Sequence, residues 1–351
     1  MSAYDFAKSL LFRFDPESVH SATLRALAGV ASTSLGRSLL QKAFDFRDDR
    51  LKVEAFGMTF RNPIGLAGGY DKDGVAVLGL GCLGFGHVEV GTVTYQPQPG
   101  NPRPRIFRLP EDTALINTMG FPSLGSEAVA RRLARLPAHP DLRVGVNLGK
   151  NKDTPLEDAA EEYRAGVRRL YCWADYLSIN ISSPNTMGLR RLQSREYLAG
   201  LLSAVTTECA VQRAETGRRV PLLVKLAPDM TWPEVDEALD VLLSAEVDGV
   251  IATNATTDRQ GLRSPLRTLP GGLSGVPLTR KNTEFVGYVH RHAGDRLPII
   301  AVGGIFTVED VLAKLAAGAT LVQVYTGLVY RGPAMVRDIL KGLLAARERR
   351  A

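Results

Sequence analysis

Apolar residues recur along this chain in short continuous runs, separated by segments with helical spacing. Most runs are rich in β-branched residues and do not alternate with polar positions, which is typical of strands covered on both faces in a parallel sheet. A two-stranded piece is predicted around residues 51–60, and eight strands after it. These are predicted at residues 63–67, 87–93, 143–148, 176–181, 222–226, 249–253, 298–302 and 321–325.

Helix-start signals lie between these runs. Thr231 precedes a helical pattern reaching residue 245, residues 307–310 read as a capping box, and Thr154-Pro155 is predicted to open a helix reaching residue 171. Eight strands with intervening helices favour a closed barrel over a doubly wound sheet, which usually has fewer strands. We therefore predict an α/β fold, an eight-stranded parallel β/α (TIM) barrel.

The chain begins with helical patterns instead of a strand. Apolar spacing over residues 3–14 predicts a short amphipathic helix, and Asp15-Pro16-Glu17 predicts the start of a second one reaching about residue 31. One interpretation is a helical cap packed on the barrel; the other is a hairpin that lies in a membrane interface or lines an apolar tunnel. We predict an N-terminal helical extension at residues 1–40 and the barrel at 41–351.

Composition excludes several classes of protein. With 351 residues, 45% hydrophobic and 23% charged, the chain is neither disordered nor a small disulfide-stapled domain. Its three cysteines include no Cys-x-x-Cys pair, so we expect no metal site. The sequence contains no run of 18 apolar residues, so we expect no membrane-spanning helix. The net charge of +6 suits an anionic partner, whether phosphate, carboxylate, membrane surface or nucleic acid.

Asparagines collect where the predicted strands end. Asn147, Asn180 and Asn254 lie within or just after β-rich runs, and Asn117 and Asn185 lie in loops. Asparagine is a poor strand former, so a compensating interaction is expected at each. A single one is commonly a satisfied turn residue, whereas several at one barrel mouth suit a planar ligand with amide-like edges.

Glycines and lysines suggest where anions bind. Gly-rich segments at residues 271–275, 303–304 and 325–327 flank the seventh and eighth strands, where barrels commonly bind phosphate, although tight turns are the alternative. Lys72 follows the first strand and Lys225 lies within the fifth. Each either pairs with an acid or supplies a fixed positive charge to a ligand.

The motif Asn-Ile-Ser-Ser-Pro-Asn at residues 180–185, with segments 68–74, 117–121 and 299–305, resembles class 2 (quinone-dependent) dihydroorotate dehydrogenases. The resemblance covers almost the whole chain. It implies an FMN-dependent oxidoreductase that converts (S)-dihydroorotate to orotate in de novo pyrimidine (UMP) biosynthesis. The electrons would pass to a membrane quinone, ubiquinone or menaquinone.

The resemblance also implies roles for residues. Ser183 would be the catalytic base that removes the proton from ring carbon 5 while hydride leaves carbon 6. The N-terminal helices would form a quinone tunnel, with His20, Arg108 and Tyr325 at the quinone site. Substrate would contact Lys72, Asn117, Thr118, Met119, Gly120, Phe121, Asn180, Asn185, Asn254 and Ala255. FMN would contact Gly68, Gly69, Tyr70, Asp71, Lys72, Thr92, Asn147, Asn180, Lys225, Thr253, Gly275, Gly304, Tyr325 and Thr326.

Two positions depart from the family pattern. Ala255 replaces a residue that usually carries a hydroxyl, so that substrate hydrogen bond is either absent or supplied by Thr256. Thr118 stands where many relatives have arginine. Neither departure affects Ser183, so we expect activity to be retained.

Two other functions compete with this interpretation. A fumarate- or NAD-linked relative is opposed by Ser183, by the N-terminal extension and by the missing iron-sulfur cysteines. An RNA-binding flavoprotein is opposed by dispersed basic residues without an aromatic platform, so we expect no nucleic-acid partner. The resemblance implies a peripheral membrane protein, on the cytoplasmic face of the inner (cell) membrane if the source is bacterial.

Overall fold

The computed structural model describes residues 3–349. Eight parallel strands close into a barrel in the order β10-β12-β13-β3-β4-β7-β8-β9. The thirteen strands of the described chain are β1 (Val53–Ala55), β2 (Met58–Phe60), β3 (Ile64–Asp71), β4 (His87–Val93), β5 (Ile106–Leu109), β6 (Ala114–Asn117), β7 (Arg143–Leu148), β8 (Tyr176–Asn180), β9 (Leu222–Leu226), β10 (Gly249–Ala252), β11 (Gly272–Gly275), β12 (Ile299–Val302) and β13 (Leu321–Val324).

Helices surround the barrel and precede it. They are α1 (Ala3–Leu11), α2 (Pro16–Ala31), α3 (Ser34–Phe44), α4 (Val77–Gly81), α5 (Ser126–Leu133), α6 (Ala159–Leu170), α7 (Arg195–Thr216), α8 (Trp232–Ser244), α9 (Thr279–Ala293), α10 (Val308–Ala316), α11 (Thr326–Arg331) and α12 (Met335–Glu348). Each barrel strand is followed by at least one helix, so the predicted TIM barrel is confirmed.

The predicted strands match the barrel strands closely. All eight runs form barrel strands, and only β3 extends well beyond its predicted end, to Asp71. The capping box predicted at Thr307 forms, and the helix start predicted at Thr231 also has a capping box. The helix start at Thr154-Pro155 was wrong, because α6 begins at Ala159 after Asp158.

The amino-terminal end of the barrel is closed by apolar packing. Phe56 and Phe60, from the β1–β2 hairpin, pack with strand residues inside the barrel. The Phe60 ring meets His87 edge-on, with 5.4 Å between ring centroids, and burial lowers the pKa of His87 to about 3. Because this end is plugged with neutral side chains, the opposite, carboxyl end is left for a site.

A second sheet, which we call the outer sheet, lies at the carboxyl end of the barrel. Strands β5, β6 and β11 pair antiparallel, with Asn117 of β6 opposite both Ile106 and Gly272. From the sequence we predicted only the Gly-rich segment at residues 271–275. Each strand of this sheet is four residues long, and β11 joins β6 from a loop far along the chain, so no local pattern indicates that pairing.

Three helices, instead of the predicted two, precede β1. Helices α1 and α2 occupy the predicted positions, with Asp15 capping α2. Helix α3 was not predicted, and the proposed boundary after residue 40 falls within it. Large apolar side chains are exposed on all three helices, at Phe6, Leu10, Val30, Leu35 and Leu39, and at Phe14 between α1 and α2. Nowhere in residues 3–349 is a helix long and apolar enough to cross a membrane.

Candidate active site

A deep cleft of about 970 Å³, measured to its open mouth, lies at the carboxyl end of the barrel. Most of the residues predicted to bind ligands line it, although they come from many different loops. They are Gly68, Gly69, Lys72, Thr92, Asn117, Met119, Gly120, Phe121, Asn180, Ser183, Asn185, Lys225, Thr253, Asn254, Ala255, Gly275, Gly304, Tyr325 and Thr326.

Four predicted contacts do not line this cleft: Tyr70, Asp71, Thr118 and Asn147. The Asp71 carboxylate accepts the amides of Val75 and Ala76, both at 2.7 Å, and so shapes the loop leading into α4. The backbone amide of Thr118 donates to the Arg105 carbonyl at 2.9 Å. Asn147 lies beneath the residues that line the cleft, where it forms hydrogen bonds with Glu89 and Asn180.

Hydrogen bonds among side chains explain why asparagine is tolerated at the strand ends. Asn180 Nδ2 donates to Thr92 Oγ1 at 2.9 Å and to Asn147 Oδ1 at 3.2 Å. Asn254 Nδ2 donates to Asn180 Oδ1 at 3.2 Å, which links the segment after β10 to strands β4, β7 and β8. Buried amides need such partners, and the network fixes which way each amide points.

The other two asparagines form a separate pair on the opposite wall. Asn185 Nδ2 donates to Asn117 Oδ1 at 2.9 Å. This contact joins the loop after β8 to strand β6 of the outer sheet. Four of the five asparagines therefore line one cleft and Asn147 supports them from beneath, in two hydrogen-bonded groups.

A buried carboxylate lies under the cleft floor, and we did not predict it. Glu89 accepts hydrogen bonds from Asn147 at 2.9 Å, Tyr176 at 3.1 Å and Gln323 at 3.0 Å. Its Oε1 lies 3.8 Å from Lys225 Nζ. An acid inside the predicted strand at residues 87–93 was the available sequence signal.

Lys225 presents a buried positive charge to the cleft. Burial lowers the pKa of its ammonium group, and the Glu89 charge opposes this effect. Among the described residues, none accepts a hydrogen bond from Nζ. A desolvated ammonium with unused donors is costly, so the floor of the cleft suits an electron-rich ligand edge.

Ser183 lies on the wall formed by the loop after β8. It is buried, and its Oγ accepts the Asn185 amide at 3.2 Å. Arg190 holds this loop by donating to the carbonyls of Ser182 and Ala255, both at 3.0 Å. Nearby in sequence, the buried Thr186 hydroxyl has no hydrogen-bond partner in the described part of the chain. We did not single out Thr186 from the sequence.

Of the two alternatives for the hydroxyl missing at Ala255, the structure favours absence of that hydrogen bond over its supply by Thr256. Thr256 does not line the cleft, and its hydroxyl bonds to the Asp229 carboxylate. Lys281 holds the same carboxylate at 2.9 Å. The hydroxyl is therefore used in the loop and is not offered to a ligand.

Lys72 contributes a second buried cation to the cleft. Its Nζ donates to the Gly69 carbonyl at 2.7 Å. Burial lowers the pKa of Lys72 to about 8, with nearby acids, Glu17 and Asp73, partly opposing this. The group stays mainly protonated at neutral pH, and an anionic ligand group would compensate its burial.

Glycines shape the opposite end of the cleft. Gly275, Gly303 and Gly304 have φ values of +117°, +126° and +66°, which favour glycine. A Cβ atom on Gly304 would lie 2.3 Å from the Thr279 backbone nitrogen. These glycines leave backbone amides accessible, which is the arrangement that holds phosphate. We call the three residues the glycine cradle.

A side cleft connects the N-terminal helices to this site. It measures about 1030 Å³ and includes His20 and Tyr70 in its walls, while Lys72, Met119 and Pro122 line both clefts. The His20 ring meets Tyr70 edge-on, with 4.8 Å between centroids. Tyr70 in turn meets Tyr325 at 5.6 Å.

The predicted quinone residues are thus only partly brought together. His20 and Tyr325 are linked through Tyr70, whose place between them we did not predict. Arg108 instead donates to the Phe14 carbonyl at 2.8 Å and lies over the Phe12 ring at 4.6 Å. Within residues 3–349, no hydrogen bond or ring contact joins Arg108 to His20 or Tyr325.

Known proteins resemble this chain along nearly its whole length. A family model described as "Dihydroorotate dehydrogenase" matches residues 50–346. A protein of Anaeromyxobacter dehalogenans named "Dihydroorotate dehydrogenase (quinone)" is 51% identical over 344 residues, which cover 97% of this chain and 92% of that one. A protein of the same name from Synechococcus sp. (strain JA-3-3Ab) is 48% identical over 355 residues, covering 98% and 92%.

A solved structure agrees with these relatives. The crystal structure of DHODH from Eimeria tenella in complex with ferulenol superimposes with a TM-score of 0.87 at 39% identity, covering 97% of this chain and 96% of that one. The family match spans the whole barrel, and the matches to the two relatives cover 97% and 98% of this chain. By sequence and by fold, the chain belongs to the dihydroorotate dehydrogenase family.

Proposed function

We propose that this protein oxidises (S)-dihydroorotate to orotate in pyrimidine biosynthesis, with bound FMN as the electron carrier and a membrane quinone as the acceptor. The observation that carries the proposal is the convergence of Ser183, two buried lysines and five asparagines on one cleft and its supporting network. The names of the relatives support the same substrate and the same class of acceptor.

The cleft walls offer complementary groups for dihydroorotate. The substrate carboxylate is assigned to Lys72, whose buried ammonium gains a counter-charge when it binds. The amide-like ring edges are assigned to Asn117, Asn185 and Asn254, which can each donate and accept. We assign the closing contacts around the substrate to residues 118–121, of which Thr118 acts through its backbone, and a non-polar contact to Ala255.

Ser183 is assigned the removal of the proton from ring carbon 5. Its Oγ is buried and already accepts one hydrogen bond from Asn185, which orients a lone pair of the oxygen. A serine hydroxyl is a weak base, so its own proton must leave as the substrate proton arrives. The unpartnered Thr186 hydroxyl, three residues further on, is a candidate for receiving that proton.

The residues of the cleft fit FMN. The glycine cradle, together with Thr326 Oγ1 and Ser274 Oγ at 2.8 Å from each other, suits the phosphate, and the Lys225 ammonium suits an electron-rich ring edge. Bound there, FMN would supply the hydride acceptor. Gly68, Gly69, Thr92, Asn180, Thr253, Gly275 and Tyr325 are proposed as direct contacts, while Tyr70, Asp71 and Asn147 are proposed to support them from behind.

The side cleft is the proposed quinone site. Its wall residue His20 is held neutral, because burial lowers its pKa to about 3 and the Lys72 charge acts in the same direction. His20, Tyr70 and Tyr325 form a continuous line of rings towards the main cleft. Arg108 is assigned to holding the end of α1 at the entrance instead of contacting quinone.

Membrane contact is assigned to the exposed apolar side chains of α1, α2 and α3. An apolar helical surface of this kind binds the interface of a bilayer without crossing it. We propose peripheral attachment, on the cytoplasmic face if the source is bacterial. We assign no nucleic acid to the protein.

A panel of electron acceptors tests this function. Purified protein is supplied with dihydroorotate and, separately, with a short-chain ubiquinone, a menaquinone analogue, fumarate or NAD, and orotate is measured by its absorbance. We expect orotate to form when a quinone is the acceptor and not when fumarate or NAD is the acceptor. Production with fumarate or NAD, but with neither quinone, would contradict the proposal.

A further inference from the structure

A lysine that the proposed reaction does not use is buried behind the glycine cradle. Lys314, on α10, is completely buried. Its Nζ donates to the Thr279 carbonyl and to Thr283 Oγ1, both at 2.7 Å. No carboxylate in the described part of the chain forms an ion pair with it.

Nearby acids do little to balance this charge. Asp310, one turn earlier on α10, is the only acid with a noticeable effect on Lys314. Its carboxylate already accepts the amides of Phe306 and Thr307, both at 2.9 Å, in the cap of α10. The ammonium is therefore desolvated without an ion-pair partner, which is costly.

The surroundings of Lys314 add to this cost. Both of its partners lie in the first two turns of α9, the end of the helix that carries partial positive charge. Burial lowers the pKa of Lys314 to about 8. Protein groups alone thus disfavour a cation at this place, whereas an anion bound close by would compensate both positive features.

The glycine cradle is separated from Lys314 by a single residue. Thr279 Oγ1 donates to the Gly304 carbonyl at 2.9 Å, and the Thr279 backbone lies directly against the Gly304 Cα. On its other side, the Thr279 carbonyl accepts Lys314. Gly304 and Leu278, the residue that precedes α9, both line the main cleft.

We propose that Lys314 is a positioning residue for the phosphate of FMN. Its charge acts through Thr279 on an anion held in the glycine cradle, together with the N-terminal end of α9. The inference rests on the proposed FMN site and adds a specific consequence. Preference for FMN over riboflavin, which lacks the phosphate, depends on a lysine that touches neither ligand.

A purely structural role predicts a different result. If Lys314 only joins α10 to α9, its loss loosens the site for both flavins alike. If its charge acts on the phosphate, the loss weakens FMN and spares riboflavin. The ratio of the two dissociation constants therefore separates the two roles.

The test uses the full-length chain stripped of flavin, and dissociation constants for FMN and riboflavin are measured by quenching of flavin fluorescence. A buried charge that acts on the phosphate through Thr279 should contribute about thirtyfold in affinity, which corresponds to about 2 kcal/mol. In Lys314→Met we expect FMN to bind about thirtyfold more weakly and riboflavin to change less than about threefold. Lys281→Met is the matched control, because Lys281 also lies in the first turn of α9 but is paired with Asp229 at 2.9 Å. In Lys281→Met, the ratio of the dissociation constants for FMN and riboflavin should stay at the wild-type value.

Further variants keep the test decisive. Lys314→Arg retains the charge and should retain the preference for FMN, and Lys314→Gln replaces the methionine variant if that one does not fold. Equal weakening of both flavins, or an unchanged ratio in the neutral variants, would overturn the inference. A wild-type protein that binds no flavin would instead overturn the proposed function.

Discussion

Replacing Glu17 by glutamine should weaken the attachment of α2 to the mouth of the barrel. The Glu17 side chain is 11% exposed and Arg105 only 6%. Three hydrogen bonds join them: Arg105 Nη2 donates to Oε1 at 2.7 Å, and Nε donates to both Oε2 at 3.1 Å and Oε1 at 3.2 Å. Arg103 also contacts Glu17 Oε1 at 3.0 Å, but its side chain is 70% exposed. One carboxylate therefore has a buried partner and an exposed one.

The two pairs should differ in energy because of this burial. Removing one partner of a buried pair costs about 3–5 kcal/mol, whereas exposed pairs contribute up to about 1 kcal/mol. Arg105 keeps its bonds to the carbonyls of Pro99 and Asn101. The free energy of unfolding should therefore decrease by about 3 kcal/mol in Glu17→Gln, the lower end of that range. With an unfolding entropy of about 2.1 cal/mol/K per residue, this chain would lose about 4 °C in Tm.

Differential scanning calorimetry of the holoprotein measures this change, with Arg103→Ala as the matched control. The control should lower Tm by about 1 °C or less, because it leaves the buried pair intact. Quinone turnover should fall further in Glu17→Gln than in the control, since α2 forms one wall of the side cleft. Equal Tm shifts in the two variants would refute the assignment of the energy to burial.

Three further predictions concern the base, the membrane surface and acid stability. Ser183→Ala should slow reduction of the bound flavin by dihydroorotate by about 10²–10⁴-fold in stopped-flow absorbance, and an unchanged rate would exclude Ser183 as the base. Phe6→Ser should lower the affinity for anionic vesicles, measured by co-sedimentation, by about tenfold, because the exposed Phe6 ring of the wild-type protein enters the bilayer interface. Equal affinity of the variant and the wild type would contradict this. For Asp229, burial alone would raise the pKa, but hydrogen bonds from Thr256 and Lys281 lower it to about 2, so its stabilisation is complete above about pH 4 and is lost as the pH falls towards 2. Urea unfolding at pH 6 and pH 3 should show a smaller difference for Asp229→Asn than for wild type, and an equal difference would contradict the assignment.

The barrel could be predicted because its strands are buried on both faces. Runs such as 222–226 contain almost nothing but apolar residues, so local composition alone marks them. Lys225 inside that run was a visible exception, and it lines the cleft. Residues that oppose their local environment were thus the best guide to the site.

Other features depend on contacts that sequence spacing does not encode. The outer sheet forms when Asn117 meets Gly272, far away in the chain. Thr256 is a plausible ligand from its position, but its hydroxyl is used by Asp229. The importance of Glu89 becomes clear only when Tyr176 and Gln323 are seen to bond to it. Such pairings are tertiary, so they require the structure.

A single-turnover experiment tests the central claim most directly. Holoprotein is mixed anaerobically with one equivalent of dihydroorotate, flavin absorbance and orotate are followed together, and a quinone is then added. The account predicts loss of the flavin absorbance with formation of one equivalent of orotate, followed by full recovery on quinone addition. Flavin that stays oxidised with dihydroorotate, or that is reduced but does not recover with quinone, would contradict it.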